Sequence, residues 1–185
     1  MSTIIDTFIA PPCHDEIEIL YQDEHLVLIN KPTGLLSLSG KNPQNIDSVH
    51  YRLVKLFSGC TLVHRLDFGT SGLMVVARNK AVNALLCQQF SQRSVTKIYH
   101  ALLCGHLDDN EGIIDAPIAK DPALFPRMSI CPINGCDLYG GCDGGLIEGM
   151  ERTKRTPRLM LHASELHFVH PISQAPIKAH CESPF

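Results

Sequence analysis

The chain has 185 residues, of which 44% are hydrophobic, and a formal net charge of −3 at pH 7. This length predicts one globular domain spanning residues 1–185 that buries most of its core. The sequence has no apolar run long enough for a transmembrane helix, and an acidic start without a basic region argues against a secretory signal. The negative balance excludes a protein that holds nucleic acid by bulk positive charge, but it is compatible with a local basic face.

Eight cysteines occur in dissimilar settings, and without an export signal they predict reduced thiols in a cytosolic protein. Cys131, Cys136 and Cys142 form the one tight cluster. A zinc site is the alternative there, but the spacing is not Cys-x-x-Cys and no histidine lies between them. We therefore predict free thiols and no metal site.

The first half of the chain predicts an arm, a strand pair and a helix. Residues 1–16 have mixed polarity and two consecutive prolines, which indicates an irregular arm. Short apolar runs at 17–20 and 26–29, separated by a polar turn, predict paired strands. Residues 37–47 predict a loop, and the apolar spacing that follows predicts an amphipathic helix beginning near Asp47 or Ser48.

The second half continues with a helix and several strands. Asn79 is predicted to cap a helix with one apolar face, formed by Val82, Leu85, Leu86 and Phe90. Apolar runs at 98–103, 113–118 and 177–180 predict strands. Residues 140–149 are rich in glycine and lead into basic residues up to 158, so we expect a loop over 140–157.

The most informative stretch is the segment from His64 to Ala77, where a polar segment with two glycines lies between apolar runs. This pattern predicts a strand, a functional loop and a second strand, with Asp67 where the strands meet. Gly69 and Gly72 allow positive φ, so we expect a tight turn that a ligand can approach. Composition alone favours a plainer alternative, in which Asp67 only caps backbone N–H groups and Arg65 is a solvated charge.

The order of residues in this stretch is more specific than its composition. His64-Arg65-Leu66-Asp67, followed after two residues by Thr70-Ser71-Gly72-Leu73, resembles the catalytic motif of the RluA-type RNA pseudouridine synthases. Residues 31–35, 97–101 and 161–171 resemble further segments of that family in the same order. The resemblance spans most of the chain and is strongest to small members that act on both ribosomal and transfer RNA.

The resemblance implies an α+β fold with a mixed, mainly antiparallel β-sheet flanked by helices, and an isomerase that needs no cofactor. It implies that Asp67 is the catalytic carboxylate beside a flipped uridine, that Tyr99 lies against the base, and that Arg65 fills the vacated position in the RNA.

Lys31, His64 and Thr70 are expected to be further substrate-binding residues. Lys31 is expected to face an RNA phosphate or the active site, and the alternative is a surface lysine at a strand end. For Tyr99 the alternative is an aromatic residue in the core of a strand.

One segment of the family pattern is missing from this chain. Family members continue after a segment like residues 125–128 through several strands to a Gly-Arg-x-His-Gln-x-Arg-x-His motif, whereas this chain passes from Ile130-Cys131 directly to a Pro-Ile-Asn-Gly turn. The resemblance thus implies an internal deletion, with residues 128–130 beginning a strand.

In the family, the second arginine of that motif pairs with the catalytic aspartate, and a buried carboxylate without its cation is costly. We therefore expect Asp67 to lack a partner from the C-terminal half, with Arg65, Arg127 or residues 152–158 as substitutes, and we expect weak or absent activity.

Two functions follow from these observations. The first is a cytoplasmic, monomeric RNA pseudouridine synthase that binds a ribosomal or transfer RNA stem-loop and no membrane. The second is a catalytically impaired RNA-binding remnant of the same family. Basic residues that could form an RNA-binding face in either case are Arg52, Lys55, Arg78, Lys80, Arg93, Lys97, Arg152, Lys154, Arg155 and Arg158; each taken singly is better read as a solvated surface charge.

Overall fold

The structure is a computed structural model that describes residues 8–103, 109–115, 118–120, 128–130 and 159–185. The chain divides into two compact units, Met1–Leu103 with Arg158–Phe185, and Cys104–Pro157. The prediction of a single domain over residues 1–185 stays a prediction, because compactness alone does not decide whether two parts fold separately.

The first unit contains a seven-stranded sheet. Its strands are β1 (Glu18–Gln22), β2 (Leu26–Lys31), β3 (Thr61–Leu62), β4 (Ser71–Ala77), β5 (Thr96–Ala101), β8 (Leu161–Val169) and β9 (Pro176–His180). The central path runs in the order β1-β2-β4-β8-β5, with β3 paired to β4 and β9 paired to β8. β4 and β8 are parallel, and the other pairs are antiparallel. The predicted mixed, mainly antiparallel sheet is confirmed.

Two helices flank this sheet, and side-chain caps begin both of them. α1 (Val49–Leu56) starts after Ser48, whose hydroxyl accepts from the Tyr51 N–H at 3.1 Å. α2 (Lys80–Ser91) starts after Asn79, whose Oδ1 accepts from the Val82 N–H at 2.9 Å. These caps satisfy backbone donors that a helix leaves open. The predicted cap at Asn79 and the predicted start of the first helix near Asp47 or Ser48 are both confirmed.

The sheet separates two apolar cores because β4 is buried along its whole length and its side chains alternate between faces. Leu73, Val75 and Ala77 pack with residues of α2, and Met74 and Val76 pack with residues of α1. The predicted apolar face of α2 is wrong at Leu85, which is 41% exposed. Val82 and Leu86 suffice to cover the sheet there.

The irregular arm is confirmed for its described part, since residues 8–16 contain no helix or strand. In the second unit, β6 (Ile118–Lys120) pairs antiparallel with β7 (Met128–Ile130). The predicted strand over 113–118 is wrong for residues 113–115, which are irregular, whereas a strand from 128 is confirmed.

The predicted loop at 140–157 and the cluster of Cys131, Cys136 and Cys142 lie outside the described residues. The four described cysteines are free thiols: Cys13, Cys60, Cys87 and Cys181.

Candidate active site

Asp67 lies on a backbone turn between β3 and β4, as the pattern of two apolar runs predicted. The Thr70 N–H donates to the Asp67 carbonyl at 3.1 Å, which closes a four-residue turn over residues 67–70. The Asp67 side chain is exposed, whereas its neighbour Leu66 is buried in the core. The turn therefore exposes the Asp67 carboxylate to solvent, while the backbone next to it is anchored in the core.

The buried side chain of Lys31 holds this turn through its backbone carbonyls. β2 and β4 pair so that Lys31 is opposite Gly72, which places the end of β2 beside the turn. The Lys31 side chain is fully buried, and its Nζ donates to the carbonyls of Thr70 at 2.8 Å, Pro32 at 2.9 Å and Phe68 at 3.4 Å.

Burial lowers the pKa of Lys31 to about 8, and the nearby Asp67 carboxylate opposes this shift. The structure differs here from both sequence readings that place Lys31 at the surface. An ammonium group without exposed area reaches no phosphate, and the contacts of Lys31 are to backbone carbonyls of the turn and of Pro32.

Three residues of the segment after Lys31 form hydrogen bonds with the backbone around Asp67. The Thr33 hydroxyl donates to the Gly69 carbonyl at 2.7 Å, and the Gly34 N–H donates to the Phe68 carbonyl at 2.9 Å. The Ser37 hydroxyl donates to the Leu66 carbonyl at 2.6 Å and accepts from the Leu66 N–H at 3.2 Å. The backbone on both sides of Asp67 is thus held by hydrogen bonds, which preorganises the carboxylate.

Of the two glycines in the motif, only Gly72 has a positive φ, of +112°. A Cβ at Gly72 would lie 2.3 Å from the Ala163 carbonyl oxygen, and one at Gly69 would lie 2.9 Å from Leu159 Cβ. The prediction that these glycines let a ligand approach therefore needs correction. Protein atoms occupy both spaces, so the glycines let β8 and the segment before it pack closely on the turn.

The sheet places Tyr99 on the side of the site that carries the turn. Gly72 pairs with Ala163, and Ala163 pairs with Tyr99 across a register shift in β5. Tyr99 is 40% exposed, and burial together with the nearby charge of Asp67 raises the pKa of its phenol. The phenol is consequently protonated at neutral pH, close to Asp67 and accessible, which does not fit a strand-core aromatic.

The other predicted site residues divide between scaffold and surface. His64 Nε2 accepts from the Val75 N–H at 3.1 Å, and its ring stacks on Phe90 with centroids 4.7 Å apart. Burial and then Lys97 lower the pKa of His64 to about 4, so the ring is neutral at pH 7.

Thr70 is 2% exposed, whereas Arg65 is exposed and forms no hydrogen bond or ion pair with the described residues. As placed, Nε2 of His64 is bonded to the backbone of β4 and Thr70 is buried in the turn, so neither of these groups faces a substrate. Arg65 is free to reach one.

Sequence reasoning missed two contributors to the site. Ser37 carries two hydrogen bonds to Leu66, although the polar composition around it predicts only a loop. The Ser71 hydroxyl lies 2.9 Å from Nδ1 of His162, both buried, at the start of the parallel pairing of β4 with β8. His162 was within a segment that resembled the family, which was the available signal.

No described residue forms an ion pair with Asp67. Arg127 and residues 152–158, which were considered as substitute partners, lie outside the described residues. In the described ranges, no cluster of three or more His, Cys, Asp or Glu side chains is arranged to hold a metal ion. Neither of the two described helices has the length and apolarity needed to cross a membrane.

Comparison with known proteins identifies relatives of this chain. Residues 25–171 match the family model described as RNA pseudouridylate synthase. The chain is 41% identical over 125 residues to the dual-specificity RNA pseudouridine synthase RluA of Vibrio vulnificus, a match covering 68% of this chain and about half (50%) of that relative. It is 34% identical over 204 residues to the protein of the same name from Yersinia pestis, with 90% of this chain and 99% of that relative covered.

Solved structures show the same fold. Human RNA pseudouridylate synthase domain containing 1 superposes with a TM-score of 0.68 and 22% identity, covering 96% of this chain and 87% of that one. Human RNA pseudouridylate synthase domain containing 4 gives a TM-score of 0.64 and 21% identity, with 90% and 88% covered. The identities are low, so these two likenesses carry information about the fold alone.

Proposed function

Because this chain belongs to the RNA pseudouridylate synthase family, we propose that it isomerises uridine to pseudouridine in RNA. The observation that carries this proposal is the placement of Asp67, an exposed carboxylate on a turn whose backbone is fixed by Lys31, Thr33, Gly34 and Ser37. A carboxylate that is held in one geometry while remaining accessible can act at an extruded base or its sugar.

The chemistry moves a bond within one molecule. The C–N bond between uracil N1 and ribose breaks, the detached base turns, and a C–C bond to C5 of the base forms. The C5 hydrogen leaves as a proton and N1 takes up a proton, so the product has the same mass as uridine. Asp67 is the group that attacks or deprotonates, and Tyr99 stacks on the base with its protonated hydroxyl available as a hydrogen-bond donor. No net oxidation occurs, so the proposal needs no cofactor.

The RNA would be recognised as a nucleotide taken out of its stack. Arg65 is exposed beside Asp67, and its guanidinium can stack in the position that the uridine leaves. The names of the bacterial relatives carry the term dual-specificity. We extend this to ribosomal and transfer RNA as substrates of this chain, acting as a cytoplasmic monomer that does not bind membranes.

A second candidate function is an impaired RNA-binding remnant. It is favoured by the internal deletion inferred from the missing Arg/His motif. The alignment with the Yersinia pestis relative supports such a deletion, because it spans 204 positions while covering only 90% of a 185-residue chain. Loss of a segment that carried the cation for Asp67 would leave this carboxylate unpaired. Because Asp67 is exposed to solvent, the cost of leaving it unpaired is reduced, so the loss does not by itself destabilise the fold.

The experiment compares wild-type protein with Asp67→Asn on stem-loops from ribosomal and transfer RNA. Nucleosides are separated by chromatography after nuclease digestion and identified by mass spectrometry, because uridine and pseudouridine have equal mass but elute and fragment differently. Conversion by the wild type alone supports the enzyme. Binding without conversion by the wild type supports the remnant, and conversion by Asp67→Asn would remove Asp67 from the catalytic role.

A further inference from the structure

A buried asparagine holds the N-terminal arm by its backbone. Asn45 is 3% exposed, although it belongs to a polar loop. Its Oδ1 accepts from the Ala10 N–H at 2.8 Å, and its Nδ2 donates to the Phe8 carbonyl at 2.7 Å. The side-chain amide thus pairs with the arm much as a neighbouring strand would, and it fixes where Phe8 lies.

An arginine holds the arm at a second point. Arg52, on α1, donates to the carbonyls of Cys13 and Asp15 at 2.6 Å each. The same guanidinium binds the Asp47 carboxylate at 2.6 Å, which fixes its orientation. A segment with no helix or strand is therefore fastened by four hydrogen bonds from two side chains of the main fold.

The arm contacts the turn that carries Asp67 directly through Phe8, and it is linked to the turn a second time through Thr33. The Phe8 ring meets the Phe68 ring edge to face, with centroids 5.5 Å apart and an interplanar angle of 77°. The Cys13 thiol contacts the Thr33 carbonyl at 3.7 Å, and Thr33 in turn binds Gly69. Phe68 and Gly69 are the two residues that follow Asp67.

The contact between Phe8 and Phe68 is an edge-to-face aromatic pair. Next to it, a cavity of about 240 Å³ is lined by residues 10–13 of the arm and by residues 34–36. An edge-to-face aromatic pair adds a directional preference that a loosely placed apolar residue lacks.

We propose that Phe8 is a positioning residue for Asp67, with Asn45 and Arg52 holding the arm that carries it. The Phe68 backbone is fixed on one side by Gly34 and Lys31, and the Phe8 ring fixes the Phe68 side chain on another. Together they restrict the turn immediately after the carboxylate. The catalytic part of this inference rests on the proposed function, and its structural part does not.

The test uses the full chain with Phe8→Ala, Phe8→Tyr, and Ile9→Ala as the matched control, because Ile9 is the next arm residue and is 54% exposed. Hydrogen exchange is followed at two amides that donate to carbonyls of the turn: the Gly34 amide, which donates to Phe68, and the Thr70 amide, which donates to Asp67. We expect Phe8→Ala to speed exchange at both by about threefold to tenfold. Phe8→Tyr, which keeps the ring, and Ile9→Ala should match the wild type.

Turnover of the same variants gives the second readout. Phe8→Ala should lower kcat about tenfold with KM unchanged, since a small displacement of a reacting group is costly while RNA contacts persist. Phe8→Tyr should restore kcat. Unchanged exchange at Gly34 and Thr70 in Phe8→Ala, or equally faster exchange throughout β2 and β4, would overturn the proposal. A wild type without turnover would refute the proposed function, and the exchange result would still decide the role of Phe8.

Discussion

The buried ammonium of Lys31 gives the sharpest prediction about the site. Lys31→Met keeps an unbranched side chain that is one atom shorter, and it removes the charge and the donors. The bonds to the Thr70 and Pro32 carbonyls, at 2.8 and 2.9 Å, are the two good ones, and losing both costs about 3–6 kcal/mol because the donor is charged. Removing a buried charge offsets about 3 kcal/mol of this, the equivalent of a pKa lowered from 10.5 to about 8.

The fold should therefore lose at most about 3 kcal/mol in Lys31→Met, as denaturant unfolding would measure. Turnover should fall about 100-fold. The turn loses the hydrogen bonds that Lys31 donates to its carbonyls, and a misplaced catalytic group costs a factor of this size. Lys41→Met is the matched control, since Lys41 is an exposed lysine of the 37–47 loop. A variant with wild-type kcat would show that Lys31 does not position Asp67, and the reasoning from these contacts would fail.

The pH dependence of stability and turnover should run in opposite directions. Between about pH 8 and 10.5 the unfolded chain holds the Lys31 proton and the folded chain does not, so the unfolding free energy should rise by up to about 3 kcal/mol from this group. Turnover should fall over the lower part of that range, since a neutral amine donates fewer hydrogen bonds to the turn carbonyls. Both are read as the difference between the wild type and Lys31→Met, which cancels other groups. A difference that does not change with pH would contradict the account.

Three further predictions concern the glycine, the aromatic and the arginine of the site. Gly72→Ala should destabilise the fold by about 3 kcal/mol or more in denaturant unfolding, because φ is +112° and the new Cβ would meet Ala163, whereas Gly112→Ala, with open space around it, should have little effect. Tyr99→Phe should bind RNA like the wild type and Tyr99→Ala should lose about 1–3 kcal/mol of affinity in filter binding; equal affinity in all three would show that the ring does not stack. RNA affinity should fall with salt along a shallow slope, and Arg65→Gln should reduce that slope by about 0.7–0.9 if Arg65 contacts a phosphate; an affinity independent of salt would mean the partner is not a polyanion.

Local patterns predicted most of the elements of the main sheet and the position of Asp67 between two strands. Both helix starts followed from capping residues, which act over three positions and are visible in sequence. The strand, turn and strand around Asp67 followed from apolar runs on either side of a polar segment. In each case the interactions that decide the structure lie close together along the chain.

Long-range contacts decided the residues that sequence reasoning placed wrongly. Lys31 reads as a surface residue locally, and it is buried because β2 ends opposite Gly72 and the turn folds over it. The two glycines predicted space for a ligand near the turn, but this space is filled by residues of the distant segment 159–163. The engaged ring of His64 and the buried Thr70 follow from the same packing, which no local pattern encodes.

We propose that Asp67 catalyses the replacement of the bond between ribose and N1 of uracil by a bond between ribose and C5. The most direct measurement is tritium release into water from RNA that carries 5-³H-uridine, in a single turnover with excess protein, because C5 loses its hydrogen only when it becomes the carbon bound to ribose. We expect the wild type to release tritium in an amount that matches the pseudouridine formed, and Asp67→Asn to release none. Release by Asp67→Asn at the wild-type rate, or an RNA-bound wild type that releases no tritium, would contradict it.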